Sequence, residues 1–383
     1  MYRIGQEEID EVTRVIRSKN LFKINDACHE TESFEQELCE KLSVRHALAM
    51  TSGKAALISA LTALGIGPGD EVIVPAYTYI ASAMAVVAAG AIPVIAEVDE
   101  TLTLDCEDAE KKISEHTKVI MPVHIQGFPC NMEKIMALAK KYSLKVVEDA
   151  CQADGGSYKG RRLGTIGDAG AYSFNQFKII SAGEGGALLT NDKDIYGRAL
   201  IYHDSSAVVF FGDQLSGIEE NPFCGVEYRT NEITCAILRC QLKRLDGILH
   251  DLRTQKKRIM ETLSGKYKFA PSHDAEGDCG VTLAFRFDTE EEAIAFADKV
   301  QGTRPIETGK HVYRHWTSIL HHYGAYNSRM DPFKMEANKD LNMDYSEDMC
   351  PKTLDLLSRT VYVAIDPDRT EQEITDEIAR LDR

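Results

Sequence analysis

The sequence lacks any apolar run that approaches the roughly 20 residues needed by a helix that crosses a bilayer. It also lacks the charged start and apolar core of a secretion signal. The opening MYRIGQEEIDEVTRVIRSKN instead has the periodicity of an amphipathic helix. We therefore expect a cytoplasmic protein without a membrane partner.

An excess of positive charge is absent as well. Lys and Arg total 44 against 60 Asp and Glu, so the formal net charge is −16. A chain of this charge repels the phosphate backbone of nucleic acids and the surface of anionic membranes. We expect no nucleic-acid partner, and an anionic substrate would need a local cluster of cations.

Two motifs with known chemistry are missing. The ten cysteines, from Cys28 to Cys350, include no CxxC pair, so no metal site is predicted. In a chain without a secretion signal we expect them to be reduced and mostly buried. No GxGxxG follows a predicted strand and opens a helix, which argues against a nicotinamide oxidoreductase.

The most informative segment that is present runs from 146 to 191, VVEDACQADGGSYKGRRLGTIGDAGAYSFNQFKIISAGEGGALLTN. It begins as a buried strand that ends at Asp149, where ligands of parallel sheets bind. A lysine amine that is partly neutral can condense with an aldehyde, and Lys178 is the candidate. A buried carboxylate, here Asp149, can keep a pyridine nitrogen protonated. These residue types predict pyridoxal phosphate as cofactor, with pyridoxamine phosphate as its intermediate form.

A second segment predicts an anion site. RHALAM at 45–50 is typical of a short strand, and Thr51-Ser52-Gly53 leads from it into a helical run. Free backbone N–H groups and the positive end of the dipole meet at such a helix start. We assign the cofactor phosphate to Ser52 and Gly53. The alternative is a plain N-cap without a ligand.

Six stretches resemble, in order, the DegT/DnrJ/EryC1/StrS sugar aminotransferases, a branch of the fold-type I pyridoxal phosphate enzymes. They span about Thr51 to Asp246 and read TSGKAAL, PAYTYIASA, EDACQADG, GDAGAYSFNQFK, EGGALLTND and GVEYRTNEITCAILRCQLKRLD. The resemblance implies a homodimer in which each active site is completed by the partner. It also implies that Tyr79 stacks on the pyridine ring, Gln152 bonds the phenolic oxygen and Ser173 binds the phosphate.

The sequence departs from the family at two positions. Lys54 stands where the family usually has threonine, and it would either pair with the phosphate or turn outward. Glu227 stands where the family often has an asparagine that reaches the phosphate of the neighbouring subunit. Because phosphate repels a carboxylate, we assign that role to Arg229.

The resemblance implies the aspartate aminotransferase fold. This is a large α/β domain with a mainly parallel, seven-stranded sheet, followed by a smaller C-terminal α/β domain. We predict an N-terminal arm and large pyridoxal phosphate domain over 1–245, and a linking helix and small domain over 246–383. The run from GVEYRTN to METL predicts one long helix, and residues 203–224 predict a long loop.

The implied reaction moves an amino group from glutamate or glutamine to a carbonyl sugar. HVYRHWTSILHHYGAYNSRMDPF is either a packed aromatic segment or a substrate wall, in which Arg314 and His315 would bind an anionic group. The segment is similar to that of family members acting on 3,8-dideoxy-8-oxo-manno-octulosonate, an acidic sugar of lipopolysaccharide synthesis.

The substrate and the role of His124 stay open, and two other classes of protein are disfavoured because Lys178 and Asp149 are both present. The substrate could be a nucleotide-linked keto-hexose. A dehydratase of the same family would carry histidine in place of Lys178, and a non-catalytic sugar-binding homologue would have lost Lys178 or Asp149. His124, at a predicted strand end, is either structural or an acid–base group.

Overall fold

The protein is described by a computed structural model that covers residues 3–24, 27–210 and 218–382. Its helices are α1 (Gln6–Ser18), α2 (Glu30–Leu42), α3 (Gly53–Ala63), α4 (Ala81–Ala88), α5 (Cys106–Lys111), α6 (Met132–Tyr142), α7 (Lys193–His203), α8 (Glu232–Leu263), α9 (Glu290–Val300), α10 (Thr317–Leu320), α11 (Pro351–Ser358) and α12 (Glu371–Asp382). Its strands are β1 (His46–Met50), β2 (Glu71–Pro75), β3 (Ile92–Ala96), β4 (Thr117–Ile120), β5 (Lys145–Asp149), β6 (Ser157–Tyr158), β7 (Arg161–Arg162), β8 (Ala169–Ser173), β9 (Gly186–Thr190), β10 (Lys268–Phe269), β11 (Thr282–Arg286) and β12 (Thr360–Ala364).

The main sheet has seven strands in the order β1-β9-β8-β5-β4-β2-β3. Strand β9 is antiparallel to both its neighbours, and the other adjacent pairs are parallel. Strands β2 and β3 are buried at every residue, as expected for strands covered by helices on both faces. This arrangement agrees with the predicted large, mainly parallel sheet.

Apolar cores lie on both faces of this sheet. One contains Phe34 and Phe174, and the other contains Leu57 from α3 together with Tyr313 and Trp316. Tyr313 and Trp316 are fully buried. The start of the predicted aromatic segment is therefore packed in the core, while its later tyrosines, Tyr323 and Tyr326, are exposed.

The long helix starts later than the sequence predicted. Helix α8 begins at Glu232, because the side chain of Asn231 caps it by accepting the N–H of Thr234 at 3.0 Å. The preceding residues are extended, and Arg229 forms a β-bridge with Met50. The prediction of helix from residue 225 was wrong, since the capping asparagine outweighs the apolar periodicity.

After α8, strands β10, β11 and β12 form a second, antiparallel sheet. The proposed domain boundary at 245/246 falls inside the continuous helix α8 and stays a prediction. The predicted loop at 203–224 contains a 3₁₀ turn at Ala207–Phe210, while 211–217 lie outside the described residues. Within the described ranges, no helix combines the length and the apolar character needed to cross a membrane.

Candidate active site

The predicted site residues come together at one edge of the main sheet. Strands β1, β5 and β8 point the same way, so their carboxyl ends bring Ser52, Asp149 and Ser173 to this edge. Ser173 pairs with Gly186 at the start of β9, and Ser52 forms a bridge with Gly185. Ligands of α/β sheets bind at such an edge.

Small residues make the turn between β1 and α3 a tight cradle. A Cβ on Gly53 would lie 2.5 Å from Cys151 Sγ and 2.9 Å from Ser173 Cβ. The hydroxyl of Ser52 accepts the N–H of Ala55 at 3.1 Å, so Ser52 is the N-cap of α3. The first two helical N–H groups, which have no acceptor within a helix, remain for an anion. The capping and anion-binding interpretations are therefore compatible.

Gly53→Ala is expected to destabilise the protein by about 1–3 kcal/mol, because the added methyl overpacks the cradle. It should also weaken cofactor binding. Urea unfolding and titration with pyridoxal phosphate measure the two effects. Gly247→Ala is the matched control, since its Cβ would meet no atom closer than 3.8 Å. Equal unfolding midpoints for Gly53→Ala and the parent would contradict a crowded cradle.

Asp149 is held in place by two donors. Its Oδ2 accepts the hydroxyl of Ser82 at 2.6 Å, and its Oδ1 accepts the N–H of Cys151 at 3.1 Å. Ser82 is fully buried and also shares a hydrogen bond of 2.7 Å with Thr78. These contacts fix the carboxylate of a nearly buried acid. Ser82 lies inside the stretch PAYTYIASA, but nothing in that stretch predicts its contact with a carboxylate 67 residues away.

Lys178 lines a cavity of about 460 Å³ between the main sheet and the C-terminal sheet. Its side chain is partly buried, and the loop that carries it follows β8 directly. The cavity is lined by Tyr79, Gln126, Gln152, Asn175, Phe177, Lys178, Ile179, Val281, Thr282, Lys310, His311 and Ala364. Three predicted residues, Tyr79, Gln152 and Lys178, therefore share one cavity.

The amide of Gln152 is oriented by the neighbouring loop. Its Oε1 accepts the backbone N–H of Gln126 at 3.1 Å, and Gln126 Oε1 in turn accepts the hydroxyl of Thr282 at 2.9 Å. This chain of bonds connects the main sheet to β11 of the second sheet. It leaves the Gln152 NH₂ group available as a donor.

Two basic residues that the sequence did not single out complete the cavity. Lys310 Nζ lies 5.6 Å from the centre of the Tyr79 ring, and the His311 ring lies 5.5 Å from it. Burial, with the charges of Lys310 and Lys178, lowers the pKa of His311 to about 4. His311 is thus neutral at physiological pH, while Lys310 supplies positive charge.

The residues predicted to bind the substrate lie elsewhere. Arg314 and His315 are not among the described residues that line this cavity. They sit in a 3₁₀ turn, Tyr313–His315, four positions beyond Lys310 and His311 respectively. Periodicity cannot tell which residues of consecutive 3₁₀ turns face inward.

The predicted phosphate ligand Arg229 is engaged within its own chain. Its guanidinium pairs with Glu227 at 2.8 Å, donates to the carbonyl of Asp204 at 3.2 Å and lies over the ring of Phe22. The carboxylate of Glu227 therefore neutralises the charge of Arg229, the predicted phosphate ligand. A role for Arg229 across a subunit interface stays a prediction.

The other two residues left open by the sequence have clear positions. Lys54 lines a separate cavity of about 150 Å³ with Met84 and Phe333, and burial lowers its pKa. His124 is fully buried, bonds Glu148 at 3.1 Å through Nε2 and accepts the N–H of Cys130 through Nδ1. Glu148 also accepts the N–H of Gly164 at 2.9 Å. These contacts support the structural interpretation of His124.

This set of groups fits pyridoxal phosphate. The cradle at Gly53 offers backbone N–H groups to a phosphate, and Asp149 offers a fixed carboxylate to a ring nitrogen. Lys178 supplies an amine in the same region, and Tyr79 an aromatic face. A planar anion with an aldehyde and a basic ring nitrogen matches these donors and acceptors.

A model of the DegT/DnrJ/EryC1/StrS aminotransferase family matches residues 2–379. The chain belongs to this family. The predicted enzyme class, an aminotransferase, is thereby confirmed. The match covers the arm and the C-terminal sheet as well as the six stretches between Thr51 and Asp246 that suggested it.

Two relatives are GDP-perosamine synthases. That of Caulobacter vibrioides is 41% identical over 219 residues, 56% of this chain and 56% of that protein. That of Escherichia coli O157:H7 is 37% identical over 287 residues, 72% of this chain and 75% of that protein. The match thus spans little more than half the length of the first relative.

Solved structures confirm the fold-type I architecture. An aminotransferase from Psychrobacter cryohalolentis is 29% identical, with a TM-score of 0.82 over 100% of this chain and 97% of that chain. NtdA from Bacillus subtilis, solved with bound pyridoxamine phosphate, is 21% identical. Its TM-score is 0.76, and the match covers 99% of this chain and 82% of that chain. That molecule is the amino form of the cofactor predicted from the sequence.

Proposed function

We propose that this aminotransferase uses pyridoxal phosphate to move an amino group from glutamate or glutamine to a carbonyl sugar in the cytoplasm. The observation that carries the proposal is Lys178 in a cavity at the sheet edge where Asp149 and the Gly53 cradle also lie. When bound, the cofactor supplies an aldehyde for the amino group and a ring that accepts electrons.

The protein's own residues hold and move protons around that group. Lys178 Nζ would hold the cofactor and would take and return the proton of the donor carbon. Asp149, fixed by Ser82, keeps the ring nitrogen protonated. The presence of both Lys178 and Asp149 argues against a non-catalytic homologue.

The remaining predicted residues bind and orient. The N–H groups at Gly53, with Ser52 and Ser173, hold the phosphate at the start of α3. Tyr79 stacks on the ring, and the Gln152 amide donates to the phenolic oxygen. The place of Ser52, Gly53 and Ser173 at the carboxyl edge of the sheet supports their roles, and the family resemblance supports those of Tyr79 and Gln152.

We propose an anionic sugar as amino acceptor, specifically 3,8-dideoxy-8-oxo-manno-octulosonate, whose amination serves lipopolysaccharide synthesis. A chain of net charge −16 needs a local cation to bind an acid. The cavity supplies one in Lys310, beside the neutral His311. A second candidate is a nucleotide-linked keto-hexose, which the GDP-perosamine synthase relatives favour.

Lys310→Ala is expected to raise the KM for the acidic sugar about 10-fold or more, because one partly buried charge pair is lost. If Lys310 binds the sugar alone, the half-reaction with glutamate should change little. Stopped-flow measurement of the two half-reactions separates the effects. Arg314→Ala is the matched control and should leave both unchanged. Equal losses in both half-reactions of Lys310→Ala would contradict a role in sugar binding.

A substrate panel tests the proposed acceptor. Purified protein with pyridoxal phosphate is offered the octulosonate aldehyde, GDP- and dTDP-linked keto-hexoses and neutral keto sugars, each with glutamate or glutamine. Amination of the octulosonate at the highest kcat/KM is the expected result. Preference for a nucleotide-linked sugar would replace it with the second candidate, and no amination of any carbonyl sugar would refute the function.

We also propose a homodimer, as the family resemblance implies. The N-terminal arm exposes apolar side chains at Ile4, Ile9, Ile16, Leu21 and Phe22. Such a row is unusual on a free surface and is typical of one that meets another chain. Sedimentation velocity at micromolar concentration should give twice the 42.6 kDa of one chain.

A further inference from the structure

Phe177 exposes most of its side chain in the cavity that contains Lys178. Its relative exposure is 85%, and it lines this cavity together with Tyr79 and Gln152. A single exposed apolar residue is common on a protein surface and by itself indicates nothing. An aromatic side chain that lines a cavity with several polar groups, however, has the environment of a ligand-binding residue. The reaction proposed above assigns no role to Phe177.

The backbone that carries Phe177 is held by hydrogen bonds on both sides. The N–H of Phe177 donates to Asn175 Oδ1 at 3.0 Å, and the N–H of Lys178 donates to the carbonyl of Asn175 at 3.0 Å. The N–H of Gln176 donates to the carbonyl of Gly183 at 3.1 Å. None of these bonds uses the Phe177 ring. The backbone under the ring is thus fixed before a substrate arrives, which lowers the cost of ordering it on binding.

Phe177 is also the chain neighbour of the reacting amine. Consecutive Cα atoms are about 3.8 Å apart, so both residues leave the backbone at nearly the same point. Their side chains line one cavity of about 460 Å³, which is the size of a small-molecule site. A sugar that brings its carbonyl carbon to Lys178 therefore brings its other carbons within reach of the Phe177 ring.

We propose that Phe177 is a specificity-determining residue that packs against the C–H groups of the carbonyl sugar. One face of a sugar ring presents C–H groups, which an aromatic surface can cover. Glutamate and glutamine present carboxylate or amide groups on a short chain, and such groups lose hydration against an apolar surface. The ring therefore favours the amino acceptor over the amino donor. The inference rests on the proposed function.

The test compares the two half-reactions of the holoenzyme in the parent and in Phe177→Ala. Stopped-flow absorption follows the pyridoxal form with glutamate, and the pyridoxamine form with the sugar of the substrate panel that the parent aminates at the highest kcat/KM. Phe177→Ala is expected to raise the sugar concentration at half-maximal rate by about 10-fold, because the aromatic contact is lost. The corresponding glutamate concentration should change less than about twofold.

Two variants serve as controls. Phe177→Tyr keeps the ring and should stay within about twofold of the parent for the sugar. Phe210→Ala removes a ring that is 83% exposed, from a residue that is not among the described residues lining the cavity, and should leave both half-reactions unchanged. Phe177→Ala should match the parent in sedimentation, and in Tm to within about 2 °C, because an exposed side chain contributes little to the fold.

Several results would overturn the inference. One is an unchanged half-maximal sugar concentration in Phe177→Ala, and another is an equal rise for sugar and glutamate, which would show no preference for the acceptor. A fall in the assembled mass would mean that the ring faces a second copy of the chain, and a variant that cannot fold would mean that the ring packs within its own chain. A parent that aminates no sugar at all would refute the proposed function, and the inference with it.

Discussion

Lys178→Ala is expected to remove the visible absorption of bound cofactor and to lower turnover by about 10⁴-fold or more. The substitution removes the Lys178 amine, which is proposed both to hold the cofactor and to move the proton of the donor carbon. The fold should be unaffected, because the side chain is partly exposed on a loop after β8. Absorption spectra, turnover with glutamate and thermal unfolding measure the three effects.

The chain offers a matched control in Lys54→Ala. Lys54 follows the Gly53 cradle directly, but its side chain lines a separate cavity with Met84 and Phe333. Its loss should leave the colour and the rate close to those of the parent. A Lys178→Ala protein that stays coloured and active, or a colourless Lys54→Ala protein, would show that the anchoring lysine had been misidentified.

The predicted residues that the structure brings to one edge of the sheet share one property. Asp149 and Ser173 end apolar strands, and Ser52 lies between a strand and a helix. Local patterns mark these positions, and the parallel sheet then brings the marked ends to one edge without further information. Family resemblance supplied the roles of Tyr79 and Gln152, which local pattern does not distinguish from ordinary packing.

The residues that the sequence missed depend on contacts distant along the chain. Ser82 reaches Asp149 from the start of α4, and Gln126 reaches Gln152 from a loop after β4. Gln126 lies outside the six family stretches, and Ser82, although inside PAYTYIASA, has no role predicted by that stretch. Tertiary packing, which local sequence patterns do not show, brings these side chains to the site.

Lys310, the cation that we assign to the sugar, is a further residue whose position local sequence patterns did not predict. The sequence predicted that Arg314 and His315 would face an anionic substrate, whereas Lys310 and His311 line the cavity. Short 3₁₀ turns at Gly309–His311 and Tyr313–His315 separate the two pairs. Side chains in consecutive turns point in different directions. The sequence therefore indicates a basic segment, but the backbone conformation determines which of its residues line the cavity.

Asp149→Asn is expected to keep part of the bound cofactor while lowering turnover by about 10²–10⁴-fold. An amide carries no charge, so it cannot hold a proton on the ring nitrogen, and the electrons released from the substrate carbon lose their acceptor. Its NH₂ group must also face either Ser82 or the Cys151 N–H, which both donate to the native carboxylate.

Ser82→Ala separates the charge of Asp149 from its orientation. It removes the 2.6 Å hydrogen bond but keeps the carboxylate, so turnover should fall far less than in Asp149→Asn. Single-turnover reaction with glutamate, followed by absorption, compares the two variants on the same step. If Asp149→Asn stays within a few-fold of the parent, another group protonates the ring. If Ser82→Ala matches Asp149→Asn, then placement of the carboxylate, rather than its charge alone, limits the reaction.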